Sequence, residues 1–242
     1  MSTASLPQCG LPPAYRWLDR LTGLAGRLGW SGSTLDPDAL EEAAARRAGL
    51  QDFGPRSYRE GLCALTRSLE REAELHELGR LHFHRLIVEC LVNRLRLVAA
   101  RRAQPALDHA PLRPPLLVCG LPRSGTTFLH RLLSLAADAR PLALWELHQP
   151  LPGPGPDRRL ASARWRLRHL RRLASLSVDA QHYVRPELPD ECTYLFRPSF
   201  ASLLLWQAPA YEWFDWFTRC DMAQPYRDYR LLLSALCPDV RR

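Results

Sequence analysis

Residues 120–127 read GLPRSGTT, a polar turn bounded by glycines that follows an apolar stretch, LLVC at 116–119, and opens a helical pattern, TTFLHRLLSLAA at 126–137. Such a turn is suited to an anion. Its backbone N–H groups and those of the first helical turn converge on one point, where the helix dipole also favours negative charge. A nucleotide-hydrolysing P-loop keeps the same glycine spacing but places a lysine after the second glycine to reach the terminal phosphates. Here Thr126 stands at that position, and the cation, Arg123, lies inside the loop. The chain contains no lysine, so its 33 basic residues are all arginine. That excludes Schiff-base chemistry and any mechanism needing a P-loop lysine. The formal charge of +8 suits anionic partners: phosphate esters, nucleic acid or acidic membrane surfaces. The excess of arginine, alanine, leucine and proline is also what GC-rich coding produces.

The elements that must hold this turn are mostly helical. Asp36-Pro37 starts a short helix over residues 36–50, with Glu41 and Glu42 early and Arg46 and Arg47 late. Residues 57–102 form a long helical region in which Leu62, Leu65, Leu69, Leu75, Leu78 and Leu81 recur at helical spacing, with Gly79 as a possible bend. His76, His82 and His84 lie on it without a second ligand cluster, which argues against a metal site. The seven cysteines show no CxxC pair, so no zinc site or disulfide framework is expected. A proline-rich linker over 103–115 introduces the first apolar strand, 116–119, and a second follows at 142–145; with the helix between them they predict a β-α-β unit. Residues 150–156 form a loop, and 158–173 a basic amphipathic helix that is either a solvated face or a nucleic-acid or membrane contact. Helical patterns return over 191–200, 211–218 and 226–236. The expectation is a helical N-terminal region, residues 1–110, followed by an α/β domain, residues 111–242, whose sheet is incomplete and helix-dominated. No apolar run of signal-peptide or membrane-span length occurs, so a cytoplasmic protein without an integral membrane segment is expected.

The turn resembles the 5′-phosphosulfate-binding loop of sulfotransferases that use PAPS, 3′-phosphoadenosine 5′-phosphosulfate, and its arginine form PRSGTT is similar to the tyrosylprotein type. Four further segments resemble the largely bacterial sulfotransferase family with a helical N-terminal region: AGLQDFG at 48–54, LWELHQPLP at 144–152, LPDEC at 188–192 and PAYEWF at 209–214. The resemblance implies a P-loop nucleotide-hydrolase-like fold with a helical N-terminal extension and PAPS as co-substrate, without a metal. It places Pro122, Arg123, Ser124, Gly125, Thr126 and Thr127 around the phosphosulfate, and Phe128 where related enzymes stack an aromatic on adenine; periodicity alone makes Phe128 a helix-core residue instead.

Sulfuryl transfer also needs a base for the acceptor hydroxyl or amine. Glu146 is the first candidate. It follows the second predicted strand, where open α/β folds line the ligand crevice, and a glutamate at a similar distance after the loop serves as base in the tyrosylprotein type; the alternative is a loop glutamate held by an arginine. His148 is a second candidate and Glu191 a third, although Asp190-Glu191 is also a common helix start. The family's Lys-Ser-Pro strand and its 3′-phosphate segment have no counterpart here, so a chain cut short before the sheet is complete is expected. The acceptor is a small molecule or peptide, not nucleic acid. The competing readings are a P-loop kinase or other nucleotide-binding protein, and a non-catalytic fragment that binds an anion or a partner.

Overall fold

The computed structural model describes residues 13–27, 33–112, 114–121, 124–173 and 184–237. Local signals set the first helices. Helix α1 spans Pro13–Arg27. Asp36 caps α2, Pro37–Ala48, by accepting the Ala39 N–H at 2.9 Å, and Gly49 closes it at φ +67°. The long helical region is two helices, α3 (Tyr58–Glu72) and α4 (Glu77–Ala103). The break comes at residues 73–76 rather than at Gly79. His76 caps α4 by accepting the Gly79 N–H at 3.0 Å, so Gly79 lies inside the first turn. The remaining helices are α5 (Thr126–Leu133), α6 (Leu144–His148), α7 (Arg159–Leu173), α8 (Tyr211–Arg219) and α9 (Ala223–Leu236), with short 3-10 helices at Pro105–Asp108, Cys192–Ser199 and Leu203–Leu205.

Helix α4 is about 40 Å long at 1.5 Å per residue and serves two cores. Around its first half, Leu40 and Ala44 of α2, Leu62, Leu65 and Leu69 of α3, and Ile87, Leu91 and Leu95 of α4 pack with Phe200, Leu205 and Trp213 from much later in the chain. Trp213 is wholly buried. Helices α3 and α8 approach closely because Gly61 lacks a side chain: a Cβ there would lie 2.5 Å from Trp216 Cη2. Around the other end of α4, Leu97 and Leu107 pack with Leu142, Leu147, Leu195, Leu231 and Leu232. Both cores therefore draw on residues from either side of position 110.

Arg94 joins the pieces. Its side chain is 1% exposed and lies 4.2 Å above the Tyr58 ring. It donates to Phe53 O at 2.8 Å, Pro55 O at 2.7 Å and Asp228 Oδ2 at 3.1 Å. Ser199 donates to the same Asp228 oxygen at 2.9 Å. A buried guanidinium is tolerated because its donors meet these acceptors.

The predicted β-α-β unit is not formed among the described residues. Residues 116–119 form no ladder with any described residue, with Leu116 77% exposed, and of 142–145 the last two already belong to the short helix α6. A strand needs a neighbour to take its N–H and C=O groups. The second segment finds only a short one, an isolated antiparallel bridge between Ala143 and Pro189. The first finds none among the described residues. Without a sheet beneath it, α5 ends at Leu133 rather than 137 and has no buried residue.

Candidate active site

At the phosphate turn, Pro122 and Arg123 lie outside the described residues. The remainder has the expected curvature. Ser124 donates its N–H to Leu121 O at 3.2 Å, Gly125 adopts φ +86°, and Thr126 and Thr127 begin α5. A Cβ at Gly120 would lie 2.7 Å from Ser124 Oγ and 2.9 Å from Thr126 Cγ2, so a larger residue there would crowd the side chains of the turn. Leu129 N–H bonds Gly125 O at 3.0 Å. The N–H groups of Thr126, Thr127 and Phe128 precede the first intrahelical bond and point out of the helix end, available to an anion. Ser124 and Gly125 are exposed, and Phe128 is 75% exposed rather than part of a core.

The candidate bases sit on or beside two short helices, α6 and the 3-10 helix Cys192–Ser199. Glu146 is buried on α6, and both of its oxygens are engaged. Arg140 Nη2 donates to Oε1 at 2.6 Å and Nη1 to Oε2 at 3.3 Å, while Ala143 N–H donates to Oε2 at 2.8 Å. Arg140 also donates to Leu236 O at 3.4 Å, so the pair fastens α6 to the end of α9. His148 ends α6 with its ring 4.8 Å from that of Tyr194. Burial, reinforced by the charges of Arg197 and Arg166, holds its pKa well below the ordinary histidine value and keeps the imidazole neutral. Glu191 is exposed and precedes the 3-10 helix Cys192–Ser199; Asp190 Oδ1 accepts its N–H at 2.8 Å. Glu187, in the same acidic cluster, pairs with Arg164 of α7, which lowers its pKa.

The structure brings two of the matching segments together. Leu144 N–H bonds Leu188 O at 3.0 Å and Asp190 N–H bonds Leu142 O at 3.2 Å, joining LWELHQPLP to LPDEC. The other two are structural: AGLQDFG supplies the Phe53 carbonyl to Arg94, and PAYEWF supplies Trp213 to the core. Sequence reasoning missed Arg94, Arg140 and Arg197. Arg94 had a visible signal, a charge within the apolar run CLVNRLRLV; Arg140 is revealed by its bonds to Glu146 and Leu236 O, and Arg197 by its burial over Tyr194. The basic helix α7 is tied down over its first half, where Arg159 stacks on Trp145 at 4.8 Å and Arg166 pairs with Glu89. His82 and His84 bond Gln207 and Thr34 O respectively, and no cluster of three metal-ligating side chains occurs among the described residues. No helix among them is long and apolar enough to cross a membrane. A groove of about 960 Å³ between α3 and α8 is lined by charges that neutralise one another, with Arg67 bonded to Glu212 at 2.7 Å and Arg219 to Asp215 at 2.6 Å.

A phosphate turn opening a helix, backed by a helical body, defines the class, and comparison with known proteins agrees. The chain belongs to the Sulfotransferase family, whose profile matches residues 114–241 and so includes the turn. Its structure is similar to that of sulfotransferase STF1 from Mycobacterium tuberculosis H37Rv, at TM-score 0.67 and 28% identity over 84% of this chain and 58% of that one. It is also similar to sulfotransferase STF9 from Mycobacterium avium, at TM-score 0.71 and 25% identity over 83% of this chain and 53% of that one. The chain thus spans little more than half the length of either relative. No curated protein sequence matches it.

Proposed function

We propose that this chain carries the 5′-phosphosulfate site of a PAPS-dependent sulfotransferase, which transfers a sulfuryl group to a hydroxyl or amine of a small-molecule or peptide acceptor. The supporting observation is the turn itself. It lies within the family match, lacks the P-loop lysine, and opens α5 with N–H groups left for an anion. In the transfer, the sulfur–oxygen bond to the donor phosphate breaks as the bond from sulfur to the acceptor forms. The acceptor proton passes to a base, and fixed N–H and hydroxyl donors stabilise the charge on the leaving phosphate. Arg123 supplies the cation; Ser124, Thr126 and Thr127 supply hydroxyls. Glu146 is the base in this reading, oriented by Arg140, with neutral His148 and exposed Glu191 as the other candidates.

Binding of 3′,5′-adenosine bisphosphate and of ATP with magnesium to the purified chain tests the donor assignment. The bisphosphate should bind without metal. Arg123→Ala should weaken it about tenfold or more, the value of a charged hydrogen bond. Magnesium-dependent ATP binding would favour a nucleotide-binding P-loop protein, and absence of bisphosphate binding would favour a non-catalytic fragment. Glu146→Gln separates the two roles of that residue: loss of transfer with donor affinity and melting temperature retained supports a base, whereas a fall in melting temperature matched by Arg140→Gln identifies a purely structural clamp.

A further inference from the structure

Arg197, in the 3-10 helix Cys192–Ser199, is only 9% exposed, and its side chain makes no hydrogen bond or ion pair among the described residues; its Nε is buried without a partner. Its guanidinium lies 4.6 Å above the Tyr194 ring, whose other close neighbour is the ring of His148. Two more buried polar atoms nearby lack a partner: Nη2 of Arg166, whose Nη1 is engaged by Glu89, and Oδ1 of Asn93, whose Nδ2 donates to His148 O at 2.8 Å. Arg94 shows how this protein satisfies a buried guanidinium, with carbonyls and a carboxylate. Arg197 has neither. A largely buried cation without a counter-charge is unfavourable, and none of its polar neighbours bonds it. Burial pushes the Tyr194 hydroxyl and the Cys90 thiol each up to about 12, leaving both neutral, and His148 is neutral as well. Glu89 is engaged by Arg166, while Asp190 and Glu191 act on Tyr194 electrostatically without bonding Arg197.

We infer that Arg197, with the free Nη2 of Arg166 beside His148, forms a binding site for one small oxyanion, a carboxylate, sulfate or phosphate group, separate from the phosphosulfate turn. The guanidinium fork matches two oxygens of such a group, and the 9% of Arg197 that remains exposed gives it contact with solvent. The site has the opposite construction to the turn: side-chain cations in a buried niche rather than exposed backbone N–H groups at a helix end.

The His148 ring reports on this site. A bound anion favours the imidazolium, so its pKa must rise when the site fills. NMR titration of His148 in the purified chain, with sodium sulfate against sodium chloride at equal ionic strength, should show a sulfate-dependent upward shift; acetate and phosphate titrations then determine which oxyanion binds most tightly. Arg197→Gln should weaken sulfate affinity at least tenfold. Arg123→Ala, in the turn, and Arg227→Gln, on the exposed face of α9, should leave it unchanged. If Arg197→Gln does not fold, Arg197→Lys retains the charge without the fork and should also lose affinity. An unshifted His148 titration in the parent chain, or an equal sulfate response in the Arg197 variants, would overturn the inference. Loss of the response in Arg123→Ala would assign the sulfate to the turn and overturn it too.

Discussion

The surroundings of Arg94 and the segment 116–135 contain similarly apolar sequence and reach opposite ends. Around Arg94, chain segments more than a hundred residues apart converge: Phe53 and Pro55, Tyr58, Pro198 and Asp228 all contact one guanidinium. In 116–135, Leu116, Leu117, Leu121, Phe128, Leu132 and Leu135 remain exposed. Apolar patterning earns stability only where a second surface covers it. In the described residues the helical body has such a surface in the returning segment 195–236, whereas the phosphate turn and its helix have none. Among the described residues the turn and its helix are therefore less supported by packing than the helical body.

Substitutions that attack each region should separate them. The largest effect is expected at Arg94: Arg94→Ala strands Asp228 in a buried setting and should destabilise by about 3–5 kcal/mol, read as a fall in the denaturant midpoint. Next is Gly61→Val, which drives a side chain into Trp216 at the α3–α8 contact; overpacking of this kind costs about 1–3 kcal/mol, measured the same way. A smaller, pH-dependent effect belongs to His148. Its folded pKa lies below the 6.5 of the unfolded chain, so below about pH 6.5 the unfolded state takes up a proton that the folded state does not, and stability falls as the pH drops. His148→Gln should flatten that part of the stability profile in denaturant melts at pH 5 to 7. The smallest effect is expected in the turn region, where Leu132→Gln on exposed α5 should change stability by less than about 0.5 kcal/mol. A loss there as large as that of Gly61→Val would erase the contrast between the two regions.

Much of the helical body was legible because its signals are local. Asp36, Pro37 and Gly49 delimit α2 from within four residues of its ends, and the spacing of Leu62, Leu65 and Leu69 reports the face that α3 buries, whereas Leu78 and Leu81 of α4 are only partly buried. Helix α1 was passed over although Pro13 and the spacing of Leu18, Leu21 and Leu24 mark it. The two strand patterns differ in kind. LLVC is a sound pattern for a buried strand, but strand formation depends on a neighbouring edge that no local pattern encodes. Phe128, an adenine-stacking aromatic by resemblance and a core residue by periodicity alone, is 75% exposed and packs into no core among the described residues. At the candidate site the signals of the turn, glycine spacing and a missing lysine, are local facts of the sequence. The engagement of Glu146 by Arg140 was raised as an alternative from residue type alone; its geometry, with both oxygens occupied, required the fold. The unpaired state of Arg197 had no signal in a sequence containing 33 arginines.

The central claim is that the residues opening α5 hold the donor's 5′ phosphate group through their backbone. Amide chemical shifts and hydrogen-exchange rates of Gly125, Thr126, Thr127 and Phe128, measured with and without 3′,5′-adenosine bisphosphate, test it most directly. The account predicts that these amides shift and become protected on addition of ligand, while those around Arg94 do not change. Binding that leaves the four amides unperturbed and alters others instead would contradict it.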